Sequence, residues 1–271
     1  MHDVHINGRH HPVAATWNEL PRPVLLQAVA VLYAGAPSDA ELRLRLLQAL
    51  LQVPRAVIAG FTSVQVVQIF WLTDFLLTDV DLTDQLLPEV RRGKKTFHGP
   101  RARFRNLRFL EFIFADAYFV AFSQEPDHEE WLNRLVAVLY RPERRPYQPL
   151  AVDYGGDRRE DFNEHHVALR TARLARIPRA EKLAIYTWYR GCRLALERDF
   201  PHVFTPAHQD AAQQATDGWA HVLREMSGPT FGPMALTEQQ LVRTVLAKME
   251  DDAVRAEQLR RQAETQSSPQ S

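Results

Sequence analysis

Residues 104–142 read FRNLRFLEFIFADAYFVAFSQEPDHEEWLNRLVAVLYRP. Their first half, 109–122, is apolar all round a helical wheel except at Glu111 and Asp116, and a helix of that kind is enclosed by other helices. Nine of its side chains are large and apolar. Each contributes about 1.5–3 kcal/mol when fully buried, so the core is expected here. Pro126 stops this helix. Asp127 and Glu130 have the spacing of a capping box, and Pro126 and Trp131 that of a hydrophobic staple, so a second helix follows and a helical hairpin results. Its stripe is Trp131, Leu135, Val138 and Leu139, and Pro142 ends it just after Arg141.

Composition narrows the classes of function. The 271 residues carry 33 Lys and Arg against 33 Asp and Glu, a formal net charge of zero, which gives no global pull toward nucleic acid or membrane. The single cysteine, Cys192, excludes an internal disulfide, and residues 1–7 contain no apolar run of a signal peptide, so the cytoplasm is the expected location. The uncharged run 56–72 contains Thr62, Ser63, Gln65 and Gln68 and falls short of the ~20 apolar residues of a membrane span. It is expected to be a core helix with the stripe Val64, Val67, Trp71 and Phe75, ending near Thr78.

Asn7-Gly8 between two short extended runs predicts a small N-terminal β-hairpin, with His5 opposite His10 and Val4 opposite His11. Asp3, His5 and His10 then share a face, which raises a metal hypothesis. Without a third firm ligand or a second shell, the four histidines read instead as a solvated tail, and no metal is expected. Capping-box spacings at Thr16/Glu19, Ser38/Glu41 and Thr237/Gln240, with breakers at Pro54, Pro178 and 227–229, divide the rest into helices. The expected fold is therefore mainly α, a multi-helical globular domain with a small N-terminal β-hairpin. Its parts are the hairpin 1–16, a main helical domain 17–203, a connector 204–236 with one short helix, and a C-terminal helix and polar tail 237–271. The narrow stripe Leu241, Val245, Met249 and Ala253 of that last helix is a candidate partner-binding edge, able to lie in another protein's groove, pair with a second copy, or close the chain's own core.

Between 91 and 108 the chain carries eight cations and no acid, the only basic run. Arg91, Arg92, Lys94 and Lys95 are candidate contacts for phosphate or nucleic acid, with Phe97 and Phe104 available for stacking. The plainer reading is a solvated connector whose cations pair with Asp79, Asp81, Asp84 and Glu89 just upstream. Nucleic acid is accordingly not the expected partner.

No nucleophile elbow, P-loop, dinucleotide fingerprint, zinc spacing or kinase signature occurs. Cys192 lies on an apolar helix and reads as buried and structural. Glu111 and Asp116, five residues apart, point about 140° from each other around the helix, too divergent for one acid/base pair. A buried ion pair with Arg108 or Arg141 is the expected arrangement. No catalytic residue and no cofactor is expected.

Thr16-Trp17-Asn18-Glu19-Leu20 after the hairpin, Phe97-His98-Gly99-Pro100, Asn106-Leu107, Glu111-Phe112-x-Phe114-Ala115-Asp116-x-Tyr118-Phe119, Leu139-Tyr140-Arg141-Pro142, Phe162-Asn163 and Gly218-Trp219 together resemble proteins encoded in tail-gene modules of Bacteroidetes phages and prophages. The resemblance spans residue 4 to about residue 228. It departs at Pro21, where the group usually has Ser or Thr. It implies a non-enzymatic tail assembly chaperone or related factor that shields apolar helical segments of a long, tape-measure-like tail protein. The competing reading is a nucleic-acid-associated accessory protein using 91–108.

Overall fold

The structure, a computed structural model, describes residues 1–6, 8–150, 156–204 and 219–267. Strands β1 (His2–Ile6) and β2 (Arg9–Val13) pair antiparallel with His5 opposite His10, the register that the Asn7-Gly8 turn predicts. Asn7 itself lies outside the described residues. A single 3-10 turn, Trp17–Glu19, follows. Thr16 makes no side-chain cap on it, and Glu19 instead accepts from the Ala15 amide at 2.8 Å. Helix α1 (Arg22–Ala34) starts behind Pro21, and α2 (Asp39–Leu51) behind Ser38, whose hydroxyl accepts from the Glu41 amide.

The core helix expected from 56 onward is broken into α3 (Arg55–Ala59), α4 (Ser63–Gln68), a 3-10 turn (Phe70–Thr73) and α5 (Asp74–Leu77). The cause is local. The Gly60 amide closes α3 on the Ala56 carbonyl, and Thr62 and Gln65 exchange reciprocal bonds of 2.9 and 3.3 Å that start a new helix. The break turns the predicted stripe outward: Val64, Val67 and Trp71 are exposed, while Leu72 and Leu76 enter the core.

A second hairpin corrects the expected connector: β3 (Glu89–Arg92) and β4 (Lys95–His98). Gly93, at φ +58°, takes the first central position of the two-residue turn, where a type II′ hairpin requires glycine. Val90 and Phe97 face each other across the strands and are both buried. The pairing then continues irregularly. His98 and Arg141 exchange backbone bonds of 2.7 and 3.1 Å, the Arg144 amide donates to Arg158 and the Glu160 amide to Pro142, so two further extended segments lie beside β4.

Helices α6 (Phe109–Gln124) and α7 (Glu129–Leu139) form the expected hairpin. The Asp127 capping box does not form. His128 occupies the cap position without a side-chain bond, and the Trp131 indole reaches back to Glu125 at 3.1 Å. Asn163 accepts from the His165 amide ahead of α8 (Val167–Leu174), and Pro178 precedes α9 (Arg179–Asp199). Helices α10 (Trp219–Met226), α11 (Met234–Glu238) and α12 (Val242–Ser267) complete the described chain. Thr237 lies buried within α11 and bonds Ser227, so it does not cap α12. Of the expected connector 204–236, residues 205–218 are outside the described residues, as are 268–271 of the polar tail.

Helix α7 is covered by α6 on one side and by α8 and α9 on the other, and α1 packs on α9 and α2. Aromatic rings fill the space between α6 and α9: Phe119 stacks on Tyr186 at 5.0 Å, and Phe104 meets Trp188 at 5.3 Å and Tyr189 at 5.0 Å. Asn18 holds the strap after α5 against this core by accepting from the amides of Thr83 and Asp84, both at 2.9 Å. Gly191 on α9 makes room for the strap, since a Cβ there would stand 2.3 Å from the Leu82 carbonyl oxygen.

Gly191→Ala tests that packing. The helix gains roughly 1 kcal/mol in propensity, but the clash is with backbone, and overpacking of this kind costs about 1–3 kcal/mol or more. The expected result is a net loss of about 2 kcal/mol in urea unfolding, and a gain in stability would show that the strap is not held there.

Candidate functional site

Glu111 and Arg141 meet at 2.7 Å, each 1% exposed. The pair joins α6 to the residue just past α7. Two further groups, not anticipated from spacing, complete the network. Arg159 lies 3.1 Å from the other Glu111 oxygen and grips Asp157 with its Nε and Nη2 at 2.9 and 2.7 Å, while Nη1 donates to the Leu139 carbonyl. Burial alone would raise the Asp157 carboxyl, but the bonds and charge of Arg159, with the charge of Arg141, outweigh it and hold the pKa below the ordinary value. Arg170 on α8 is buried close by, with Nη2 bonded to the Asn163 carbonyl and with Nε and Nη1 lacking an acceptor.

Asp116 is buried as expected, but its partner is neither Arg108 nor Arg141. It accepts from Arg193 at 2.8 Å, the Trp219 indole at 2.9 Å and the Tyr189 hydroxyl at 3.3 Å, tying α6 to α9 and α10. Arg108 donates instead to the Gln239 carbonyl, and the Phe109 amide to that of Gln240, which seats the start of α12 on α6. The thiol of Cys192 is buried and pushed up to about 12 by that burial, as suits an inert structural cysteine.

Above the buried network lies a cleft of about 890 Å³ between the second hairpin and the paired segments beside it. Arg91, Lys94 and Lys95 of the basic run line it. Arg92, one residue along β3, does not. The opposite wall adds Arg144, Arg145, Arg158 and Arg173, so seven cations face four carboxylates. The acidic patch proposed to neutralise the run does not do so: among Asp79, Asp81, Asp84 and Glu89, only Glu89 lines the cleft, and its partners are Arg158 and His98. Nor do the aromatics serve for stacking, since Phe97 and Phe104 are both buried. Sequence periodicity missed this site because its second wall comes from 142–173, and only the backbone pairing at His98–Arg141 brings the two walls together.

Two apolar faces complete the inventory. Val64, Val67 and Trp71 are 66%, 63% and 52% exposed, a ridge on one edge of α4 and the turn after it, with His2 edge-on to Trp71 at 4.7 Å. On α12 the expected edge divides. Val245 is fully buried with Val242 and Leu246, Met249 packs against the core, Ala253 is half-buried, and Leu241 is at the surface. The first turns of α12 therefore close the chain's own core, and Val245 is not presented to a partner. At the N-terminus His10 bonds Asp3 at 2.8 Å, and the described residues contain no group of three or more His, Cys, Asp or Glu side chains that could hold a metal. No helix among the described residues is long and apolar enough to cross a membrane.

Removing the buried Asp116 carboxylate leaves Arg193 facing an orphaned site, so Asp116→Ala is expected to cost about 3–5 kcal/mol in chemical denaturation. Asp157 supplies a pH test. Its folded pKa is depressed, so its contribution is complete above the ordinary aspartate value of 3.8 and is lost as pH falls through the lower folded value. Asp157→Asn should therefore flatten the acid limb of the stability profile, and an unaltered limb would assign acid unfolding to other carboxylates. Compared with protein-family models, with curated proteins and with solved structures, the chain finds no match.

Proposed function

We propose that the chain is a non-enzymatic binding protein of the phage tail-module kind, an assembly chaperone that covers apolar helical segments of a tape-measure-like tail protein in the bacterial cytoplasm. The observation that carries this reading is the ridge Val64, Val67 and Trp71, three large apolar side chains at helical spacing that are left outside a core otherwise well supplied with them. Val64 and Val67 on α4, with Trp71 on the 3-10 turn that follows, offer apolar surface to the stripe of a second helix. Leu241 offers a further exposed apolar residue at the start of α12, and self-association through the ridge is the related possibility.

The chemistry-bearing side chains support a non-enzymatic role. Glu111 and Asp116 are each engaged by arginine, and the Cys192 thiol is buried and protonated. The alternative, nucleic acid read along 91–108, keeps its cations and loses both of its stacking rings.

Co-expression with a tape-measure-like protein tests the proposal. The wild-type chain should co-purify with it and keep it soluble. Val67→Glu with Trp71→Glu should abolish this with little change in melting temperature, because exposed positions usually contribute within about 0.5 kcal/mol. Capture that is equal for both proteins would overturn the reading, and a wild-type dimer dissolved by the same pair of changes would make the ridge a self-association face.

A further inference from the structure

We infer that the basic cleft is a binding site for a chain of linked phosphates, an anion of the tripolyphosphate type. The inference is independent of the apolar ridge. Of the seven cations lining the cleft, Arg144 is paired with Asp161, and Arg158 with Glu89 and Glu143. The other five, Arg91, Lys94, Lys95, Arg145 and Arg173, have no ion pair among the described residues. Seven cations against four carboxylates leave the lining three positive charges in surplus around about 890 Å³, a concentrated field in a molecule whose total charge is zero.

The protein beneath the cleft adds to that field. Three buried arginines, Arg141, Arg159 and Arg170, face two buried carboxylates, Glu111 and Asp157. The surplus charge falls on Arg170, which is 2% exposed, has two nitrogens without acceptors, and lies 3.9 Å from Glu160, a residue of the cleft wall. Arg173, one turn further along α8, opens into the cleft itself.

The lining also selects the chemistry. It contains no Phe, Tyr or Trp platform for a base, its one aromatic ring being that of the buried His98, and Pro142 is its sole apolar side chain. A peptide would bring main-chain amides and apolar groups for which this lining has little provision. Linked phosphates bring closely spaced charge and oxygens suited to the guanidinium fork. The volume is that of a small-molecule site, too small for a duplex.

Calorimetric titration of the full chain with tripolyphosphate, at about 150 mM salt, tests the assignment, with single-stranded oligothymidylate and polyglutamate as parallel probes. Saturable tripolyphosphate binding is expected, strengthening as salt is lowered. Lys94→Glu with Lys95→Glu, and separately Arg145→Ala, should each weaken it at least roughly tenfold without moving the melting temperature. Binding of oligothymidylate as well would support the site and place the phosphates in a nucleic-acid backbone; tripolyphosphate alone would support it and place them in a free anion. No binding of either phosphate probe, equal or tighter binding of polyglutamate, or affinity that survives both charge changes would overturn the inference.

Discussion

The contact between Glu111 and Arg141 fixes where α6 meets the extended segment after α7. Two charges taken out of water are tolerated only when each is closely paired and bonded, and removing one partner leaves a penalty of several kcal/mol. Glu111 draws in two arginines from outside its own helix: Arg141 at the end of α7 is bonded to one oxygen, and Arg159 stands 3.1 Å from the other, which accepts no hydrogen bond. Once those two are fixed, the segments carrying them have little freedom. Residues 141–144 must lie beside β4, and 158–160 beside them.

The cleft is a consequence of that geometry. Strand alternation sends successive side chains to opposite faces, so where Arg141 and Arg159 point inward to Glu111, their neighbours Arg144 and Arg158 point outward. There they meet Arg91, Lys94 and Lys95 on the second hairpin. A buried acid on α6 thus determines the position of exposed cations more than thirty residues away. The same logic operates on the other side of α6, where Asp116 gathers Arg193, Trp219 and Tyr189 and so seats α9 and α10.

The longer helices are legible in the sequence because apolar period and breakers are local signals, but of the caps read at Thr16, Ser38, Asp127 and Thr237 only that of Ser38 forms. The hairpin of α6 and α7, the Ser38 cap and the hairpin register all follow from residues a few positions apart. Long-range pairing was not legible. Arg193 lies 77 residues from Asp116, and no spacing rule links them. The second hairpin was hidden because half of its eight strand residues are charged and only Val90 and Phe97 are large and apolar. The stripe on 64–71 was misplaced for a different reason: its period is helical, but Gly60 and the Thr62–Gln65 box end one helix and begin another, and period alone does not reveal which side of a short helix meets the core.

Several of the motif residues singled out in the sequence do structural work. Trp17 donates to the Phe75 carbonyl, Asn18 pins the strap at Thr83 and Asp84, and Gly99 admits the Tyr140 ring, which a Cβ would approach to 2.7 Å. Glu111, Asp116 and Arg141 form the buried networks, and Trp219 closes one of them. Substituting any of these disturbs the frame. The ridge at Val64, Val67 and Trp71 and the unpaired cations of the cleft lie outside those motifs, where a change carries a small cost to folding. One frame can therefore present different surfaces, and the two proposals place the choice of partner on the ridge and the cleft.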